Sequence, residues 1–179
     1  MPEASNRRAV PDWVWVAGVC ALALILRLGY VSQVWFNLPD EARVLVAPEE
    51  LDPGFYYHWA QEIAAGDWIG KAPFVQSPLY AYLLGLLMKV IGSGVGPILV
   101  VQSLVGCGTV LLTYLAGRRL FGHGHGVAAA LLIALYGPFI FYEGMVMKTF
   151  LSPFLTLALI LLLDRARGEA AAPDGRRAL

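Results

Sequence analysis

The amino-acid sequence predicts an all-α fold: a polytopic membrane helical bundle of about four transmembrane helices, whose extracytoplasmic first loop carries two juxtamembrane amphipathic helices. Three observations predict it. Of 179 residues, 58% are hydrophobic and 15% charged, with a mean hydropathy of +0.63. A soluble domain is nearer half apolar, with about a quarter of its residues charged. The apolar excess is also gathered into long blocks, and arginine pairs stand at the ends of those blocks, where they act as topology signals. The formal net charge is zero, so nucleic acid is not an expected partner.

Residues 1–12 form a polar, cytoplasmic tail with Arg7 and Arg8. The first span runs over about 13–36, long enough for a hydrocarbon core of roughly 30 Å. A retained first span is expected in preference to a cleaved signal, because no small-x-small site follows the run and bulky Val19 precedes Cys20. Cys20 and Cys107 both sit in apolar runs and read as inert packing residues. Arg27 interrupts the span roughly 21 Å along its axis. An arginine at membrane depth costs about 2.5–3.5 kcal/mol on insertion scales. It therefore either snorkels to the surface or turns inward to meet a lipid phosphate or a carboxylate.

The extracytoplasmic loop spans 37–96. Its first part is acidic and proline-punctuated, and Asp52-Pro53 then predicts a helix start, with an acid at the N-cap and proline at the first helical position. In this helix Phe55, Trp59 and Ile63 share one face, while His58, Gln61 and Glu62 share another; Gly66 ends it. The length and amphipathicity predict a helix lying on the membrane surface. Between Asp52 and Tyr80 stands the densest set of chemically useful side chains: Asp52, Tyr56, His58, Glu62, Asp67, Lys71 and Gln76.

The run Pro78–Ile91 is short for a span and contains Lys89. Later spans read as about 97–117, 127–142 and 145–163. If 78–91 does not cross, Arg7/Arg8, Arg118/Arg119 and Arg165/Arg167 all fall on one side; if it crosses, Arg118/Arg119 move to the other. The positive-inside rule therefore favours a second surface or half-inserted helix, with both termini cytoplasmic. Gly122-His-Gly-His-Gly126 reads as a flexible inner turn, not a metal site, since the glycines leave its histidines without support. The membrane module is 13–163, and residues 164–179 read as a disordered cytoplasmic tail.

On this topology Asp52, Lys71, Glu143, Lys148 and Arg27 gather near one membrane face, and ionisable groups so gathered suggest a site. Each could instead satisfy itself locally: Asp52 as a helix cap, Glu143 with Lys148 across a turn. At this point the order of motifs resembles the start of the GT-C glycosyltransferases. The matching pieces are Asp52/Tyr56/Trp59/Ala60, Gly66-Asp67-Trp68, Ser77-Pro78-Leu79-Tyr80 and Arg118-Arg119-Leu120-Phe121-Gly122, within residues 20–163. The resemblance is strongest to the bacterial relatives of protein O-mannosyltransferases and of the lipid A aminoarabinose transferase.

That resemblance implies a hexosyl or pentosyl transferase of the bacterial inner membrane. Such an enzyme moves a sugar from a polyprenyl-phosphate donor to an extracytoplasmic acceptor hydroxyl on protein, lipid or glycan. It implies that Asp52 is the catalytic or metal-associated carboxylate, the metal being Mg or Mn in those relatives that use a divalent cation. The family's second carboxylate opens the fourth span; here Glu143 stands for it, and Phe150 occupies the neighbourhood of the usual Asp. A departing phosphate needs cations, for which Lys148, Arg27 and Lys71 are the candidates, with Tyr56 and Tyr80 as further substrate-binding residues. Membrane lipids are the remaining expected partners. Full enzymes of this type are several hundred residues long, so the expectation is an N-terminal fragment or a shortened form whose activity alone is not implied. The alternative is a non-catalytic scaffold or lipid-binding subunit built on the same module.

Overall fold

The structure, a computed structural model, describes residues 11–37, 51–70 and 74–171. Among these residues all the regular structure is helical, without strands. The helices are α1 (Asp12–Asn37), α2 (Asp52–Ala65), α3 (Pro78–Ile91), α4 (Val95–Phe121), α5 (His123–Leu135), α6 (Gly137–Glu143) and α7 (Leu151–Ala171), with a short 3-10 turn at Lys148–Phe150 before α7. Three helices are long and apolar enough to cross a membrane by themselves: α1, α4 and α7 joined to its 3-10 turn. The α5–α6 pair makes a fourth candidate, bent by 56° at the break. The chain is thus an integral, polytopic helical membrane protein.

Polar contacts at the helix ends set the direction of each helix. Asp12, which opens α1, lies 3.8 Å from Arg118 and 3.5 Å from His123, so α1 runs antiparallel to α4. Arg119 near the end of α4 pairs with Asp164 late in α7, so these two helices run parallel. The chain leaves α1 and enters α4 at the same end of the bundle, and α2 and α3 sit between them without crossing. One end of the bundle, the basic end, carries Arg118 and Arg119; the other carries α2, α3, Glu143 and Lys148.

Local sequence explains most of the boundaries. Proline stands in the first turn of α2, α3 and α6, where its missing N–H costs nothing. Gly66 ends α2 with φ 113°, its N–H reaching back to the carbonyls of Glu62 and Ile63. α3 lies closely against α2 because residue 85 is glycine: a Cβ there would come within 2.8 Å of the Ile63 side chain. Around this helix pair Trp59, Phe74, Tyr82 and Trp68 form a chain of ring contacts, with Lys89 5.2 Å above Trp68. Such a mixture of rings and a cation suits the level of a membrane interface.

Four expectations need correction. The N-cap of α2 is Leu51, not Asp52, which is the first helical residue. The buried face of α2 is Pro53, Gly54, Tyr56, Ala60 and Ile63, because α3 covers that side; Phe55 and Trp59 are only partly covered. The Gly122–Gly126 segment is not a flexible turn. Only Gly122 turns; α5 starts at His123, and Gly126 packs so tightly on α4 that a Cβ would meet the Tyr114 carbonyl at 2.8 Å. The disorder expected after residue 163 does not begin there, since α7 continues to Ala171; residues 172–179 lie outside the described residues, as do Arg7, Arg8 and Lys71.

Candidate active site

Two polar groupings occupy the end of the bundle opposite the basic one. The deeper one centres on Arg27 and Glu143. Arg27 is 1% exposed and Glu143 2%. The guanidinium forks onto the carboxylate, Nε donating to Oε2 at 2.5 Å and Nη2 to Oε1 at 3.1 Å. Its remaining nitrogen, Nη1, donates to the carbonyls of Ala23 (3.3 Å) and Ala134 (3.4 Å). Of the alternatives open to an arginine at this depth, snorkelling is excluded and pairing with a carboxylate holds. Glu143 pairs with Arg27 and not with Lys148. In this geometry all three guanidinium nitrogens of Arg27 are engaged within the buried interior, away from a leaving phosphate, and both oxygens of Glu143 are taken.

Gln102, in the first third of α4, joins this layer to the next. Its Nε2 donates to the carbonyls of Glu143 (2.8 Å) and Met145 (2.7 Å), where α6 ends, and its Oε1 accepts from Tyr80 at 2.5 Å. These bonds satisfy C-terminal carbonyls that a helix end leaves unpaired. Burial, with a smaller contribution from Tyr56, raises the Tyr80 pKa above the ordinary tyrosine range, so it remains the donor in that bond. The Tyr80 ring lies between Tyr56 (5.0 Å) and Phe150 (5.8 Å).

The outer grouping centres on Gln76. Its Nε2 donates to Asp52 Oδ1 at 3.1 Å, and its Oε1 accepts from Lys148 Nζ at 2.8 Å and from Tyr56 at 3.5 Å. A carboxylate on one side and an ammonium on the other dictate which way the amide faces. Lys148 also lies 5.6 Å from the Tyr56 ring centroid, within cation–π range. Asp52, Gln76 and Lys148 are each half-buried, reachable from outside yet held by partners. Asp52 in the first turn of α2 has the positive end of the helix dipole behind it.

Of the residues expected at the site, the structure therefore brings Asp52, Tyr56 and Lys148 together, and places Tyr80 just beneath them. Tyr56 and Tyr80 are buried and hold polar partners, without facing an open groove. Two residues were not among the expected site: Gln76, visible only as one polar residue among many, and Gln102. The signal for Gln102 was present, since an amide within an apolar span must find a partner.

A family model described as dolichyl-phosphate-mannose-protein mannosyltransferase matches residues 75–170, more than half of the chain. The chain belongs to this family. The match includes Gln76, Tyr80, Gln102, Glu143 and Lys148; Arg27, Asp52 and Tyr56 precede it. No curated protein and no solved structure matches the chain at a significant level. Membership in this mannosyltransferase family agrees with the GT-C resemblance read from the motifs, and with the membrane helices.

Among the described residues, the side chains around Asp52 fit a divalent cation poorly. Among the described residues no group of three or more His, Cys, Asp or Glu side chains comes together. Asp52 has beside it an amide N–H, which is a donor and no ligand, and the ammonium of Lys148 is bound to the same amide. A hard cation wants several oxygens, and an ammonium in the same network opposes it. The two histidines of the α4–α5 junction take separate partners, His123 the Tyr114 hydroxyl at 3.1 Å and His125 the Phe121 carbonyl at 2.9 Å.

Proposed function

We propose that this mannosyltransferase-family chain binds a polyprenyl-phosphate-linked sugar at the Asp52–Gln76–Lys148 end and takes part in its transfer to an acceptor hydroxyl. The observation that carries the reading is that Asp52 and Lys148, from different helices, meet on the two ends of one amide. Glycosyl transfer needs a base and a cation held apart by about the size of the reacting group. The acceptor oxygen attacks the anomeric carbon and its proton passes to Asp52. The bond from that carbon to the phosphate oxygen breaks, and the phosphate keeps the electron pair, its charge met by Lys148. Gln76 yields its two partners to the substrate when the donor enters. The positive-inside rule, applied to Arg118, Arg119, Arg165 and Arg167, supports a cytoplasmic basic end and an extracytoplasmic site in a bacterial inner membrane. At that level the donor's lipid tail stays in the bilayer.

Asp52→Asn tests the base. It keeps the size and the contact with Gln76, so the protein's melting temperature stays as in the wild type. Sugar transfer from a polyprenyl-phosphate donor falls about 10²–10⁴-fold. Transfer at the wild-type rate removes Asp52 from the mechanism. Donor binding without any transfer by the wild-type chain favours a lipid-binding subunit.

A further inference from the structure

The broken span poses a problem of hydrogen bonding that the sequence creates and one side chain solves. In an unbroken helix the carbonyl of Ala134 would accept the N–H of residue 138. Residue 138 is proline and has none. Ala134 is fully buried, so water cannot replace that donor. Arg27 Nη1 supplies it instead, from α1, at 3.4 Å. The same guanidinium grips Glu143 at the far end of α6. It therefore sits inside the 56° bend with one contact on each leg.

We infer that Arg27 is a positioning residue: by bonding Ala134 on α5 and Glu143 on α6 together, it sets the bend of the third span and so places Lys148 opposite Asp52. Space for the carboxylate is reserved by Gly106 of α4, where a Cβ would collide with Glu143, and the Tyr30 ring covers Gly144 just beyond it. From Glu143 the chain needs only four residues to reach Lys148, and Gln102 holds two of the carbonyls on the way. Arginine suits this place because one planar group must donate in three directions; the lysine ammonium lacks that fork. The inference rests on the proposed function only for what Lys148 does once placed.

The test uses the full chain in lipid nanodiscs, with Cys20 and Cys107 changed to alanine and spin labels on E62C of α2 and Y142C of α6. Arg27→Lys moves and broadens the label–label distance measured by double electron–electron resonance. Pro138→Ala, which gives the Ala134 carbonyl an in-helix donor and lets the span straighten, moves it in the same direction. Because both act on one bend, the double variant moves it no further than the larger single. An unmoved distribution, or effects that add, overturns the inference. If Arg27→Lys yields no folded protein, Pro138→Ala decides alone, a shift supporting the inference and an unmoved distribution ending it. Binding of farnesyl phosphate, a short polyprenyl phosphate, gives the second readout and weakens at least about tenfold in Arg27→Lys. A moved distance with undiminished binding refutes the placement of Lys148. A moved distance with no binding by the wild-type chain refutes the proposed function and leaves Arg27 as the residue that sets the bend.

Discussion

The two carboxylate–cation sets at one end of this bundle use similar chemistry in opposite ways. Arg27 and Glu143 touch directly, in the dry interior, with both carboxylate oxygens occupied. Asp52 and Lys148 are half-buried and share the neutral amide of Gln76. A buried pair cannot change partners without exposing a bare charge to a low dielectric, which costs several kcal/mol. A pair joined through an amide at the surface can release both ends to a ligand, because each broken bond is replaced by another or by water. The buried set is therefore architecture and the outer set is available for chemistry, although sequence reasoning gives all four charges the same standing.

Removing one partner from each set separates them most sharply. Arg27→Met leaves Glu143 buried and unpaired, and destabilises the protein by about 3–5 kcal/mol in thermal unfolding. The double variant R27M/E143M recovers much of this, since two apolar side chains leave no bare charge. It still lacks about 1–3 kcal/mol because the Ala134 carbonyl has lost its donor. A double variant no more stable than the single would show that the pair is not coupled.

The space around the buried set is the next test. Gly106→Ala introduces a methyl group where the Glu143 carboxylate lies. Overpacking of this kind costs about 1–3 kcal/mol, set against the better helix propensity of alanine. A melting temperature unchanged from the wild type would mean that the carboxylate has room to move aside. The corresponding change in the outer set, Gln76→Ala, removes bonds that water can replace at a half-buried position. It lowers stability by about 0.5–1.5 kcal/mol, and a loss as large as that of Arg27→Met would erase the distinction between the two sets.

How much of this was legible in the sequence follows from how local each signal is. The proline-marked starts of α2 and α3 and the stop at Gly66 depend on neighbouring residues, and the chain spells them out. The role of Asp52 at the start of α2 was off by one position, since Leu51 and Asp52 both suit that boundary and only the backbone angles separate them. The bend at Tyr136–Gly137 was hidden because Pro138 stands near the outer end of an otherwise apolar run, where it equally suits a span's terminus. Pairings remote in sequence were the least legible. Arg27 had several physically reasonable fates, and only the approach of α6 to α1 selects Glu143. Gln76 and Gln102 carry no charge to draw notice, yet each joins two elements that charge patterning treats separately.

The Arg119–Asp164 ion pair at the basic end completes the scale. Arg119 and Asp164 join α4 to α7 beside a cleft of about 290 Å³ lined by Ala116, Leu120, Ile160, Leu161 and Leu163. The groups are the same kind as in the buried pair, an arginine and a carboxylate, but the side chains are 49% and 45% exposed. Water and salt screen such a pair, and each side chain loses rotamer freedom to hold it. Arg119→Ala is therefore expected to change thermal stability by less than about 1 kcal/mol, with the difference shrinking further as salt is raised. A loss near that of Arg27→Met, or one insensitive to salt, would mean that α4 and α7 exclude water around this pair. Burial would then no longer be what separates the two ends of the bundle.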